Sequence, residues 1–483
     1  MVYKLYNGIV PLTTWLIITF PLWMSFFRPA LVAYFIIAFN LYFFYKSFNT
    51  GYLAGVSFLK IEKINKINFY KKIKNYKKIN EIKHFVFIPN YKEPLHKLEK
   101  TIDCIIDNNY HKTNLYLVLA FEKREKEIIK KGNFLKKKYG KNFAQIFTTY
   151  HPLKETEAAG KASNQTYAAK IIDQYLEKNG WDRKKILITI CDADSLLPKN
   201  YFAYLTYKFI NDKNNLYHFY WAPVLLYNNF WQLPIFVRMQ ATLSSVVRLA
   251  FLSSGENLIQ ISTYSTNFWL LKQINFWDVD VIPEDWHIYL QAFFKFGDKI
   301  KTIPLFTIIN SDAVYSGKLL KTLVNRYEQE KRWAWGVSDV GYSLKRLFET
   351  PHINFFTKLK KIIFLAENHL LWPISFFILT LSASIPPLVN PVFKRTVLGF
   401  LLPKTSAFIL TLATLVLIFY IILDINLRKK VNKKTPVGAL PILIIQWYIL
   451  PVVSFFLSSL PALQAHTQIL LGKKLKYKVT EKV

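Results

Sequence analysis

Cysteine is nearly absent from this sequence: Cys104 and Cys191 are the two in 483 residues, far apart and without CxxC or Cys/His spacing. That excludes a disulfide framework and a structural zinc site. Acidic residues are scarce too, 31 Asp plus Glu against 64 Lys plus Arg, which leaves a formal net charge of +33. There is no GxGxxG and no GxxxxGKS/T, so neither a dinucleotide fingerprint nor a P-loop is available. With 52% hydrophobic and 17% aromatic residues, disorder and a small secreted scaffold are both excluded, and a cytosol-facing protein fits best.

The apolar excess is concentrated in long runs. Residues 9–27 and 29–45 are nearly uncharged, each close to the roughly 20 residues that cross a bilayer, and they read as a helical hairpin. Two long runs separated by Arg28 and Pro29 do not form a signal peptide. Further runs lie at 362–389, 405–425 and 437–465. Ten Lys against two Glu between Lys46 and Lys83, KLKK at 358–361 and RKKVNKK at 428–434 place these flanks on the cytoplasmic side, and the polar middle with them. Lysine beside apolar spans suits anionic lipid better than nucleic acid, and no nucleic-acid partner is expected. The last run is expected to break into a re-entrant or two-pass hairpin near Pro451, which keeps the basic tail inside.

Between 84 and 350 strands alternate with helices. The expected order is strand 84–89, helix 95–109, strand 114–121, helix 122–138, helix 161–178, strand 186–191 and helix 198–211. Such alternation indicates a mostly parallel sheet covered on both faces, with a site beyond the carboxyl ends of its strands.

Polar clusters fall at that edge. After ILITIC comes Asp192-Ala193-Asp194; two extended residues at i and i+2 face one side and can share a hard cation, Mg²⁺ or Mn²⁺, although the same triplet also suits a turn and helix cap. Glu284 and Asp285 open an amphipathic helix, where a carboxylate serves either as a general base or as a cap on the helix dipole. Gln329 and Arg332 share a helix face, with Trp333 beside them. They offer an amide, a guanidinium for phosphate oxygens and an indole for a sugar face, or simply an interfacial basic helix. Segment 230–252 is apolar apart from Arg238 and Arg248, and reads as a strip in the membrane interface or as a buried helix.

Taken in order, Pro89-Asn90-Tyr91-Lys92-Glu93, Gly160-Lys161-Ala162-Ser163-Asn164, Asp192-Ala193-Asp194, Glu284-Asp285-Trp286 and the QxxRW of Gln329 to Trp333 resemble the membrane-bound family-2 glycosyltransferases, the cellulose and hyaluronan synthase group. The closing YKVTEK suits the same group. The resemblance implies an α/β GT-A domain, Rossmann-like with a mostly parallel sheet, inserted between transmembrane helices. The expected boundaries are 1–48 for the N-terminal hairpin, 49–83 for a basic linker, 84–350 for the catalytic domain, 351–471 for the C-terminal membrane region and 472–483 for a basic tail. The protein would lie in the cell membrane with its catalytic domain in the cytoplasm.

The resemblance also assigns roles. Pro89, Tyr91 and Glu93 would border the nucleoside, Lys161 would hold the diphosphate, Asp192 would lie near the nucleotide and Asp194 would bind the metal. Asp285 would be the general base, Arg332 would face the diphosphate, and Glu284, Gln329 and Trp333 the acceptor. Two departures stand out: Glu122 occupies the place where relatives carry an Asp pair at the base, and PED replaces the common TED. The implied reaction is inverting transfer from a nucleotide-diphosphate sugar, expected to be a UDP-sugar, to a growing polysaccharide or, alternatively, a single transfer to a lipid. A transporter or receptor with a ligand-binding middle domain is the reading from another class.

Overall fold

The computed structural model describes residues 2–76, 79–430, 438, 440–473 and 475. Residues 431–434 of the RKKVNKK cluster, the YKVTEK motif and most of the expected basic tail lie outside them. Helix α1 (Val2–Phe27) and helix α2 (Pro29–Ile64) form the N-terminal hairpin. Pro29 stands at the first helical position, where its missing N–H has no partner to lose. Helix α2 does not stop at residue 48. Ala54, Ser57 and Ile61 are buried at helical spacing, so the first half of the segment expected as a linker is a continuation of the helix.

The middle of the chain builds one seven-stranded sheet. Its elements in order are β1 (Lys83–Asn90), α3 (Leu95–Ile106), β2 (Leu115–Glu122), α4 (Ile128–Tyr139), β3 (Gln145–His151), α5 (Lys161–Lys178), β4 (Ile186–Ile190) and α6 (Tyr201–Ile210). After them come β5 (His218–Trp221), α7 (Ile235–Phe251), β6 (Tyr264–Asn267), α8 (Glu284–Phe296) and β7 (Lys301–Pro304). The strand order is β3-β2-β1-β4-β6-β5-β7, with β6 antiparallel to both neighbours and every other pairing parallel. Within β1 the side chains alternate between faces: Phe85 and Phe87 pack with α5 on one side, Val86 and Ile88 with α3 and α6 on the other. Burial on both faces explains why these strands read as unbroken apolar runs. Each large aliphatic or aromatic side chain removed from water there contributes about 1.5–3 kcal/mol.

The order reverses at β1. Strands β2 and β3 extend to one side of it and β4 lies on the other, so the carboxyl ends of β1 and β4 flank a switch point where a crevice opens. The segments that follow these two strands are the Pro89 to Glu93 loop and the Asp192 to Asp194 turn.

Helix α9 (Leu319–Ala334) carries the QxxRW motif, and α10 (Ser338–Glu349) leads to α11 (Phe355–Val389), α12 (Val397–Lys429) and α13 (Pro441–Leu470). With α1 and α2, five helices among the described residues are long and apolar enough to cross a membrane. The hairpin expected at Pro451 does not form. A 3-10 turn ends at Ile449 and Pro451 sits in the first turn of the next helical stretch, so the chain stays helical through it, and a π turn at Phe455–Ser459 takes up the remaining irregularity. Helix α7, the apolar strip, is largely buried; Val237, Met239, Ala241 and Leu249 are inside.

Candidate active site

One cavity of about 610 Å³ lies at the switch point, and all twelve residues singled out from the sequence line it: Pro89, Tyr91, Glu93, Glu122, Lys161, Asp192, Asp194, Glu284, Asp285, Gln329, Arg332 and Trp333. They arrive from the ends of β1, β2 and β4 and from the first or last turns of α5, α8 and α9. Helix termini and strand ends are where polar groups can leave the core without breaking a ladder.

At the centre Lys161, the first residue of α5, reaches Asp192 Oδ1 at 2.7 Å and Glu284 Oε1 at 3.1 Å, and donates to the Ser262 carbonyl at 3.0 Å. Burial opposes its charge, yet Asp192 and Glu284 hold its pKa well above the ordinary value. Ser262 has a left-handed φ of 68°, a conformation uncommon for a non-glycine residue and often found at functional sites. Its N–H donates to Asp285 Oδ2 at 2.9 Å and its hydroxyl donates to Asp192. One serine therefore ties together the lysine, the DAD turn and the Glu-Asp pair. It stands outside every motif, and its role was not legible.

Asp285 also accepts the Trp286 N–H at 3.0 Å. Burial raises the Asp285 carboxyl above its ordinary pKa, against the pull of the Ser262 N–H and of Lys161. Burial raises Glu284 likewise, with Lys161 opposing. A carboxylate with a raised pKa is a better proton acceptor near neutral pH than an exposed one. Two residues on, His287 is flanked by Asp339 at 2.6 Å and Asp278 at 3.0 Å; burial disfavours its charge, but the two carboxylates lift its pKa to about 9. The Asp339 contact fastens the first turn of α8 to α10, and the Asp278 contact ties it to the preceding loop.

Asp194 is 7% exposed and accepts the Asp312 N–H at 3.2 Å, while Asp312 pairs with Lys97 at 2.9 Å. Among the described residues no group of three or more His, Cys, Asp or Glu side chains converges as a metal cage. The DAD turn offers carboxylate oxygens alone. This donor set suits Mg²⁺ or Mn²⁺ when phosphate oxygens and water complete the shell.

At the β1 and β2 end, Glu122 is 2% exposed and accepts from Arg124 Nε at 2.9 Å; the Arg124 guanidinium lies 4.6 Å from the Tyr91 ring centroid. Lys92, with φ 60°, donates its N–H to Glu125 at 2.5 Å and sets the turn that presents Tyr91. Asn90 and Asn164 both donate to the Ala120 carbonyl, at 3.3 and 2.8 Å.

At the α9 end, Arg326 donates to Gln240 Oε1 at 2.6 Å, to Gln329 and to Glu330. Trp333 is gripped between two guanidinium groups, Arg326 at 4.8 Å and Arg248 at 5.5 Å from its ring centroid. Burial lowers the Arg248 pKa to about 10, with Arg326 adding to the effect. Gln240 and Arg248 come from α7, so the apolar strip supplies the polar support for QxxRW. The sequence offered no signal for Gln240, Arg326 or Glu330.

Residues 187–423, from β4 into α12, match the family model described as glycosyl transferase family group 2. The chain is a glycosyltransferase. The match spans the DAD turn, the Glu-Asp pair and QxxRW; the Pro89 loop and Lys161 of the glycosyltransferase precede it. Similar solved structures include a mannosyltransferase, PcManGT from Pyrobaculum calidifontis in complex with GDP-Man and Mn²⁺, at 14% identity and TM-score 0.41, covering 80% of this chain and 100% of that one. S. aureus TarS 1–349 is similar at 9% identity and TM-score 0.38, over 72% of this chain and 92% of that one. The same TarS fragment in complex with UDP-GlcNAc matches at 11% identity and TM-score 0.36, over 82% and 94%. No curated protein matches the glycosyltransferase in sequence. The reading as a non-enzymatic transporter or receptor is set aside by the family match.

Proposed function

We propose that this glycosyltransferase is embedded in the cell membrane with its catalytic domain, residues 84–350, on the cytoplasmic face, and transfers a sugar with inversion from a nucleotide-diphosphate sugar, a UDP-sugar by preference, to a growing polysaccharide. The observation that carries the reading is the shared cavity: the sheet-edge carboxylates form one wall, and Asn368, His369 and Trp372 of α11 with Val453, Ser454 and Ser458 of α13 form another. Donor chemistry and membrane helices meet in one space. The KLKK of α11, with Lys360 at 3.1 Å from Glu256 of the domain, supports the assigned side.

In this reading Pro89, Tyr91, Glu93 and Glu122 surround the nucleoside, while Lys161, Asp192 and Arg332 face the diphosphate. Asp194, with Asp192 beside it, would hold Mg²⁺ or Mn²⁺, which when bound supplies charge compensation to the departing diphosphate. Asp285 takes the proton of the acceptor hydroxyl as its oxygen attacks the anomeric carbon. The bond from that carbon to the phosphate oxygen breaks on the opposite face, and the nucleoside diphosphate leaves with its charge. Glu284, Gln329 and Trp333 line the acceptor side.

A single transfer to a lipid is the second reading, favoured by the same membrane-helix wall. Product analysis with radiolabelled donor separates the two. The polymer reading predicts a ladder or high polymer; one lipid-soluble adduct would replace it.

A further inference from the structure

The membrane-side wall of the cavity contains an unsatisfied group. His369 of α11 is 5% exposed, and neither Nδ1 nor Nε2 has a hydrogen-bond partner. The other buried histidines among the described residues all have one: His84 pairs with Thr206, His151 with Glu157, His218 with Asp212, His287 with two aspartates and His466 with Thr14. Burying a polar ring without a partner is unfavourable, so packing alone is a poor reason for an imidazole here.

The surroundings hold the ring in place. It stands edge-on to Trp286, with centroids 6.0 Å apart, and nearly parallel to Trp372 at 6.5 Å and 22°. Gly336 makes the room: a Cβ there would come within 3.2 Å of His369 Cε1. Trp286 directly follows Asp285. The imidazole, that indole and the carboxylate assigned as base all line the same cavity. A neutral imidazole offers one N–H and one lone pair, which match a hydroxyl that both accepts and donates. The two flanking indoles provide apolar faces of the kind a sugar ring covers.

We propose that His369 is an acceptor-binding residue: it hydrogen-bonds a hydroxyl of a carbohydrate acceptor held at the membrane end of the cavity and orients the attacking oxygen toward Asp285. This rests on the transferase reading above, since it assigns the acceptor side of that same site.

The test uses the full-length protein in membrane vesicles of the expressing cell, whose own acceptor is the probe, with a radiolabelled nucleotide sugar that the wild type turns over. Label in the membrane or polymer fraction reports transfer, and free labelled sugar reports donor hydrolysis by water. His369→Ala is expected to lower the ratio of transfer to hydrolysis about tenfold, the loss of one well-placed hydrogen bond. His369→Gln, which keeps a donor and an acceptor, is expected to recover most of that ratio. An unchanged ratio in His369→Ala, whether both rates hold or both fall together as in a damaged fold, would overturn the proposal. Wild-type vesicles with neither transfer nor hydrolysis from any donor would overturn the transferase reading, and the proposal with it.

Discussion

The two ends of the cavity are built differently. At the sheet edge the carboxylates of Asp192, Glu284, Asp285 and Glu122 all have partners: Lys161 reaches Asp192 and Glu284, Ser262 reaches Asp192 and Asp285, and Arg124 reaches Glu122. At the membrane end the described wall carries no carboxylate, lysine or arginine side chain, Trp372 and Val453 standing beside Asn368, Ser454 and Ser458, and His369 is buried with both nitrogens unpaired. A site whose charges are already compensated can receive a highly charged donor without rearranging, because preorganised dipoles cost nothing at the moment of reaction. A neutral acceptor needs little of that and more of shape and stacking. Each end therefore suits a different half of one reaction, and changes at the two ends should separate kinetically.

The largest effect belongs to the group at the junction. Asp285→Asn keeps the shape and one of the two oxygens that accept the Ser262 and Trp286 N–H groups but cannot take a proton, so transfer should fall by about 10²–10⁴-fold. Nucleotide-sugar affinity, measured by calorimetry, should change little. Since burial raises the Asp285 pKa, the wild-type rate should decline as pH falls through that raised value, as the base becomes protonated. Loss of donor binding in step with loss of rate would erase the distinction between the two ends.

Next is the support beneath QxxRW. Arg326→Met removes the cationic partner of buried Glu330, leaving it the Gln240 Nε2 donor, and takes away the donor to Gln329 and to Gln240 Oε1. Leaving one charge of a buried pair alone costs about 3–5 kcal/mol, read as a lowered melting temperature of the purified protein. Adding Glu330→Gln should restore part of it, because the stranded charge is gone. A single variant as stable as wild type would show that the α9 end is not held by this network.

How far this arrangement could be read from the chain depended on distance along it. Strands β1, β2 and β4 were legible because burial on both faces leaves an unbroken apolar run, and α5 matched its expected bounds at both ends. Strand β6, of sequence YSTN, has no such run and exists because β4 and β5 flank it. Helix α4 starts later than expected, since Glu127 is left-handed with φ 59° and 123–127 is a turn. The carboxylates and QxxRW could be picked out by order and type. Ser262, Gln240 and His369 could not, because what makes them matter lies dozens to hundreds of residues away, as with Gln240 and the Leu457 carbonyl.

The smallest effect concerns pH and the fastening of α8. His287 has its pKa lifted to about 9 from 6.5, so charging it stabilises the fold. That contribution is present in full below about 6.5 and is lost as pH rises through about 9. Melting temperature should therefore decline across that window, and His287→Gln should flatten the decline. An unaltered pH profile in the variant would remove His287 from the account.

The central claim, that the sheet edge binds and activates a nucleotide-diphosphate sugar, is tested most directly by nucleotide release from detergent-purified protein. UDP-, GDP- and dTDP-sugars would be offered with Mg²⁺, with Mn²⁺ and with chelator, alongside Asp194→Ala. Metal-dependent release from one donor, abolished by chelator and at least a hundredfold lower in Asp194→Ala, is the predicted result. Failure of the wild type to bind or release any of these nucleotides, in a folded preparation with membrane lipid added, would contradict it.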